Sequence, residues 1–348
     1  MTIPISTIFS VQKFCALPSF AGFTVSGDDA NTFLQGQLTN DVAALANQTS
    51  QRTGYCTPKG RLMATFLQWR IGPNALGHLL PAELFETTTK RLRMFVLRAK
   101  VTFSPPEATL GVFGLWGRLT SDGQRLIAGL GEKAAAGVID FGQIAHEKNE
   151  KNGPSTGPWL ILESPCPVLG QRAWLVAHQA DRDSIAQGLQ SAQSLPEAAW
   201  AFSEIQNAKP WVWEKTKEAF VPQMINFELV NGVSFTKGCY PGQEVVARSQ
   251  YLGKLKRRSF RADLEIAPQP CSQWIGADVW SSAIPHEPCG QVVDCAPNFN
   301  ASGAATSGAC LLLECTLDAW GHGGLHVGAI DGPLLRPMTL PYSFPATA

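Results

Sequence analysis

The chain has 348 residues, 45% of them hydrophobic and only 16% charged, so there is apolar material for two or three domain cores. Lysine plus arginine equals aspartate plus glutamate at 28 each, which excludes a general polyanion binder built on a basic excess and leaves open only a local anion cleft. No apolar run approaches the ~20 residues of a bilayer span, so neither a nucleic acid nor a membrane is expected as a direct partner.

Residues 1–19 read as a loosely held arm without the marks of a secretory leader. Residues 20–26 alternate as a strand, and Asp28 is placed to cap a short helix whose buried face is Phe33, Leu34 and Leu38. Residues 51–56 and 62–71 form a hairpin about the Pro58-Lys59-Gly60 turn, and a third strand begins at Leu79. Residues 83–94 are helical, 96–103 return as a strand, and 109–115 form another. The pattern is α+β, with helices against a sheet. Residues 120–158, including Glu147 to Pro154, read as weakly structured connections. A strand over 173–177 and helices over 182–190 and 197–206 echo the first half loosely. From Leu252 onward short strands separated by Gly, Pro and Ser clusters predict a small β-barrel, with 298–308 as a mobile loop. The expected organisation is an arm (1–19), an α+β region of two interleaved parts (20–251) and a barrel (252–348).

The segment Lys237-Gly238-Cys239-Tyr240-Pro241-Gly242-Gln243-Glu244 carries the chemistry. Two glycines bracket a cysteine, which lets the backbone bend and a partner approach. Lys237 favours thiolate over thiol by its charge. Pro241-Gly242 predicts a tight turn with Cys239 and Tyr240 at its rim, and Gln243 and Glu244 start a helix running to Arg248. A lone cysteine among apolar residues is usually a small core residue, so on local physics a functional thiol and a packed one both stay open.

That octapeptide resembles the signature of the YgfZ/GcvT-like folate-binding family. The run Phe220-Val221-Pro222-Gln223-Met224-Ile225-Asn226 before it is similar to the family's, as are Phe33 to Val42, Pro81-Ala82-Glu83 and Arg91 to Val101. The resemblance covers residues 20–264 and, more weakly, the carboxyl-terminal strands. It implies a T-protein-like ring of three parts, with ferredoxin-like halves and a β-barrel, around a channel for tetrahydrofolate or a one-carbon derivative. It implies a cytoplasmic accessory protein whose partners are iron–sulfur client enzymes or assembly factors, tRNA-modifying ones among them. Cys239 is then the functional thiol, tuned by Lys237. Phe20 and Trp200 are the aromatic folate contacts, with Gln37, Asn40 and Arg248 as polar ones. Met63-Ala64 stands where T-proteins carry paired aspartates; neither residue holds a proton, which speaks against the alternative, a folate-dependent aminomethyltransferase. A scaffold with no folate affinity is the third reading.

Other constellations carry less. The spacings of Cys289 with Cys295, Cys310 with Cys315 and His322 with His326 match no established zinc or cluster pattern, and no protein-held metal is expected. No phosphate-cradling glycine pattern or nucleophile elbow occurs. Lys254 to Arg258 reads as a strand with a solvated basic face, or else as a contact for a glutamate tail or an acidic partner. Trp211 and Trp213 alternate onto one face, as core or as channel wall.

Overall fold

The protein is described here by a computed structural model covering residues 5–105, 110–128, 137–140, 157–252, 255–265 and 270–345. It forms two compact units: Met1–Thr53, Phe66–Pro165 and Gly170–Glu197 make the first, and Gly54–Thr65, Cys166–Leu169 and Ala198–Ala348 the second. The division after Glu197 lies upstream of the boundary expected near Tyr251.

The first unit is built on a mixed sheet. Its strands are β1 (Phe9–Ala16), β2 (Phe20–Ser26), β3 (Ser50–Cys56), β4 (Leu62–Gly72), β5 (Ala75–Pro81), β6 (Thr102–Phe103), β7 (Leu110–Leu119), β8 (Val138–Asp140), β9 (Trp159–Cys166), β10 (Gly170–His178) and β11 (Gln193–Ser194). Their order is β3-β4-β5-β2-β7-β10-β9-β8, with β1 pairing to β7 and β11, and β6 to β2. The tip of the β3–β4 hairpin, Gly54–Thr65, groups with the second unit. β4 and β5 are buried along almost their whole length, as their near-continuous apolar reading requires. Two of the buried polar residues inside them meet: the Gln68 amide lies 2.8 Å from His78 Nε2. Burial pushes the His78 imidazole down to about 3, so the ring is neutral where it stacks on Phe23 at 5.0 Å. Deeper still, Arg52 pairs with Glu163 at 3.2 Å, and the Trp174 indole donates to the same carboxylate at 3.1 Å.

The expected elements are recovered over 20–26, 51–56, 62–71 and 83–94, with shifts at the ends. Four expectations in this unit fail, the first being that 120–158 is weakly structured: Ser121–Ala128 is a helix and Val138–Asp140 pairs antiparallel with β9. The arm is not loose: β1 pairs antiparallel with β7 from Phe9↔Leu119 to Ala16↔Phe113, with a bulge between Val11 and Lys13. Only Thr102–Phe103 of 96–103 is a strand; Met94 to Val96 continue as turns, closed by Ala99 N–H donating to the Val96 carbonyl at 2.8 Å. The helix Ala30–Gln35 is flanked by Asp29 rather than Asp28. The Asp29 carboxylate accepts from the Lys100 amide at 2.7 Å instead of capping. Residues 141–156, with the Glu147–Pro154 segment, lie outside the described residues.

The second unit carries β12 (Arg257–Leu264), β13 (Asp278–Ser281), β14 (Gly290–Phe299), β15 (Ala305–Thr316), β16 (Leu325–Val327) and β17 (Leu335–Met338) in one sheet, order β16-β13-β14-β15-β12-β17. From Ala309 on, every second residue of β15, namely Ala309, Leu311, Leu313 and Cys315, enters one core with Val279, Val292 and Phe260, while Cys310, Leu312 and Glu314 are buried on the opposite face. The expected mobile loop over 298–308 is mostly strand. β14 and β15 close on a short turn in which Asn300 N–H donates to the Ala304 carbonyl at 3.0 Å while its Oδ1 accepts from the Ser302 and Ala304 amides. Among the described residues no helix is long and apolar enough to cross a membrane.

The helix Ala198–Gln206 packs on β14 and β15 and brings two buried carboxylates together. Trp211 and Trp213 lie on an irregular segment, not a strand. The Trp211 indole donates to Glu204 at 2.8 Å, and the Asp294 carboxylate accepts from the Cys295 amide at 2.9 Å. Burial, then the charge of Glu204, pushes Asp294 up to about 7 against that donor. The folded state therefore holds this proton more tightly than an unfolded chain titrating near 4. Its stabilisation is fully present below pH 4 and is lost as pH rises towards 7. In Asp294→Asn, thermal denaturation is expected to lose this decline and to show a gain over the parent of at least about 1 kcal/mol at pH 8. Equal stability of the two proteins at pH 8 would mean that the carboxylate ionises without cost in the fold.

Candidate functional site

The motif turn is held from below by the hairpin tip of the second unit. In that tip Gly60 N–H donates to the Thr57 carbonyl at 2.9 Å, and Leu62 N–H to Phe220 at 2.8 Å, so the hairpin edge is pinned to the segment preceding the motif. Gly242 sits above it with φ +83°. A Cβ there would lie 2.4 Å from the Thr57 carbonyl oxygen and 2.6 Å from Gly60 Cα. A Cβ on Gly60, at φ +73°, would lie 2.9 Å from Val245 Cβ. Two left-handed backbones therefore touch where no side chain fits. Gly242 then flanks the helix Gln243–Tyr251, as expected from Gln243 and Glu244, and Gln243 N–H donates to the Tyr240 carbonyl at 3.2 Å.

Residues on either side of the motif fasten it. Gln223, fully buried, donates its amide to the Val246 carbonyl at 2.8 Å. Asn226, left-handed at φ 55° and fully buried, donates to the Ser259 carbonyl at 2.8 Å and accepts from the Arg258 guanidinium at 3.3 Å. Arg258 also pairs with Glu228, whose carboxyl is pushed up by burial and pulled back by that cation. Gln223 and Asn226 lie in the run that resembles the family's, and Arg258, expected on a solvated basic face, is instead buried. The signal for the first two was only a run of amides beside Pro222, which does not say what they bond.

The turn separates its side chains. Cys239 is exposed while Tyr240 is buried, so the expectation that both stand at the rim holds only for the thiol. Burial, then the neighbouring Cys56, pushes the Tyr240 phenol up, and it stays protonated. Lys237 is also buried, with its ammonium 5.0 Å from the centre of the Tyr240 ring, a cation–π contact that ties the lysine to the turn. The other eight cysteines are buried. Desolvation pushes Cys56 up to about 12 and Cys289 to about 11, so those thiols remain neutral and shielded. Gly238 is exposed, and a Cβ added there would meet nothing within 4 Å, so a reagent or partner reaches the sulfur unhindered.

No family model matches the chain. The tRNA-modifying protein YgfZ of Colwellia psychrerythraea is 32% identical over 250 residues, covering 70% of this chain and 69% of that one. The protein belongs to the YgfZ family. The tRNA-modifying protein YgfZ of Vibrio vulnificus is 30% identical over 246 residues, 70% of this chain and 68% of its own. Among solved structures, the glycine cleavage system aminomethyltransferase T of Bartonella henselae superposes with a TM-score of 0.67 over 96% of this chain and 87% of that one. At 12% identity this is a likeness of fold alone: a mixed α/β architecture with barrel-like sheets.

The remaining family positions are distributed as follows. Phe20 opens β2, is 8% exposed and meets Trp174 edge-on at 5.1 Å. Trp200 lies fully buried on the helix Ala198–Gln206. The Asn40 amide is committed within the chain, donating to the Arg52 carbonyl at 2.8 Å and accepting from the Asp41 amide at 2.8 Å, so it shapes its loop. Gln35, which sequence reasoning passed over, closes the same loop through Asp41 and Val42. Gln37 differs: its Oε1 is buried and has no donor among the described residues. Arg248 and Glu244 are exposed on the helix that starts at Gln243. Met63 and Ala64 are buried on β4, with no carboxylate at either position. Among the described residues no group of three or more His, Cys, Asp or Glu is placed to hold a metal ion.

Two outcomes follow from this geometry. Gly242→Ala should lower stability by roughly 2–4 kcal/mol in urea denaturation, whereas Gly238→Ala should change it by less than about 0.5 kcal/mol; equal effects would refute the backbone contact as the determinant. Titration of the native protein with an aromatic disulfide reagent should release about one thiol per chain out of nine, and none from Cys239→Ala.

Proposed function

We propose that this YgfZ-family protein is a tetrahydrofolate-binding accessory factor that supports assembly or repair of iron–sulfur enzymes, including those that modify tRNA, with Cys239 as its working thiol. The observation that carries the reading is an exposed cysteine on the family's motif turn in a chain whose other cysteines are buried. The relatives' designation as tRNA-modifying proteins and the aminomethyltransferase fold support it. The ring of three parts with ferredoxin-like halves and a cytoplasmic location belong to the same reading.

One observation supports a folate. A buried amide oxygen without a donor is unfavourable, and Gln37 Oε1 is such an acceptor, suited to an N–H of a pterin edge. Phe20, Trp200 and Arg248 complete the expected contact set, the last as a cation for the carboxylates of the tail. Tetrahydrofolate, when bound, supplies a nitrogen that carries one-carbon groups; the chain's part is to bind and orient it. The aminomethyltransferase alternative needs an acid–base group that buried Met63 and Ala64 do not supply.

Titration with tetrahydrofolate, followed by tryptophan fluorescence, should saturate and should weaken at least fivefold in Gln37→Ala. No response at high micromolar ligand rejects folate binding. Cys239→Ala should retain the fold and the titration yet fail to restore iron–sulfur enzyme activities in a strain lacking the protein; full restoration removes the thiol from the mechanism.

A further inference from the structure

The helix Phe85–Arg93 of the first unit ends in an unusual surface. Leu92 anchors it in the core, and the turns that follow carry Met94, Phe95 and Leu97 outward, 60%, 46% and 88% exposed. A single exposed leucine needs no explanation, but three large apolar side chains within four residues do. Leu97 also has φ 46°, a left-handed conformation that leucine rarely adopts and glycine adopts freely. One residue thus combines two features unfavourable to the free chain.

Charge surrounds the apolar group. Lys90, Arg93, Arg98 and Lys100 are exposed about it. Lys100 pairs with Asp28 at 3.1 Å, and the Arg93 guanidinium lies 5.5 Å from the Phe103 ring centre and donates to the Ser104 carbonyl at 3.3 Å. The exposed acid on the same helix is Glu86. In a chain of zero formal charge this is a local cationic rim around an apolar centre.

We propose that the Met94–Arg98 turn is a docking surface for a protein segment bearing acidic side chains around an apolar one. The rim fits carboxylates, and the centre fits a side chain that loses water on docking. A nucleic acid would use the cations and stack on Phe95, but gains nothing from Met94 and Leu97, the two most exposed apolar side chains of the turn. An anionic bilayer is best met by a long amphipathic face rather than a five-residue turn. The inference is independent of folate and of Cys239, and its readout involves neither.

The test uses the full chain and a fluorescein-labelled dodecapeptide of alternating glutamate and leucine, read by anisotropy. Binding should be saturable and should weaken with salt. Leu97→Ser should weaken it at least fivefold. Arg98→Gln should weaken it about threefold and flatten the salt dependence. Leu97→Gly should raise the thermal midpoint by a few degrees while weakening the peptide as much as Leu97→Ser does, which separates relief of the backbone from loss of the contact. The proposal is overturned by no binding at high micromolar peptide, by equal binding of glutamine–leucine or lysine–leucine peptides, or by indifference to Leu97→Ser. It is equally overturned if single-stranded RNA or phosphatidylglycerol vesicles bind the turn more tightly than the peptide, or if Leu97-dependent self-association appears in sedimentation.

Discussion

Two glycine backbones meet where the motif turn crosses the hairpin tip, and the site's geometry follows from how closely they approach. Gly242 and Gly60 are both left-handed and both too near their neighbours to carry a Cβ. That contact fixes where the helix Gln243–Tyr251 begins, and hence the height of the Val246 carbonyl that Gln223 reaches for. It also fixes the twist of the turn, which sends Tyr240 inward and leaves Cys239 outside. A side chain at either glycine would lift the turn off the hairpin and unmake all of these relations at once.

The local half of this arrangement was legible in the sequence. Pro58-Lys59-Gly60 announced a turn, Pro241-Gly242 another, and Gln243-Glu244 a helix start, because each rests on the conformational preference of the residues themselves. The pairing of the two turns was not legible, since nothing in either stretch encodes a partner about 180 residues away. The same limit explains the other differences. Lys237 was read against its sequence neighbour Cys239, yet the fold gives its ammonium the face of Tyr240. Asn40 was read as a ligand contact, yet its amide holds the strand beside it. β1 lacked a strong alternation of its own and is ordered by pairing to β7, a tertiary effect overriding a weak local signal.

β4 carries Met63 and Ala64 into the core. Two of the carboxylates this chain buries, Glu204 and Asp294, are held by the Trp211 indole and the Cys295 backbone amide. Neutralising one by raising its pKa lets the pair share an apolar site without two full charges. These groups fasten a helix to a sheet, and their burial makes them poor candidates for moving protons to and from a ligand.

The thiols divide in the same way, and the division bears on what kind of partner the site admits. A thiol used on a small ligand in a closed cleft would be walled by side chains that orient it. Cys239 is preceded by an exposed glycine at which even an added methyl group would find open space. What lies beneath it is rigid: a buried phenol, a buried ammonium and a hairpin that cannot recede. A firm base with an open approach suits a sulfur that must meet a bulky surface, such as another protein's cofactor site, because access is needed on the outside and definition on the inside. The other eight thiols are covered, so a reagent or partner that discriminates by exposure encounters one sulfur in this molecule. Selectivity is thereby built in by packing the other eight away.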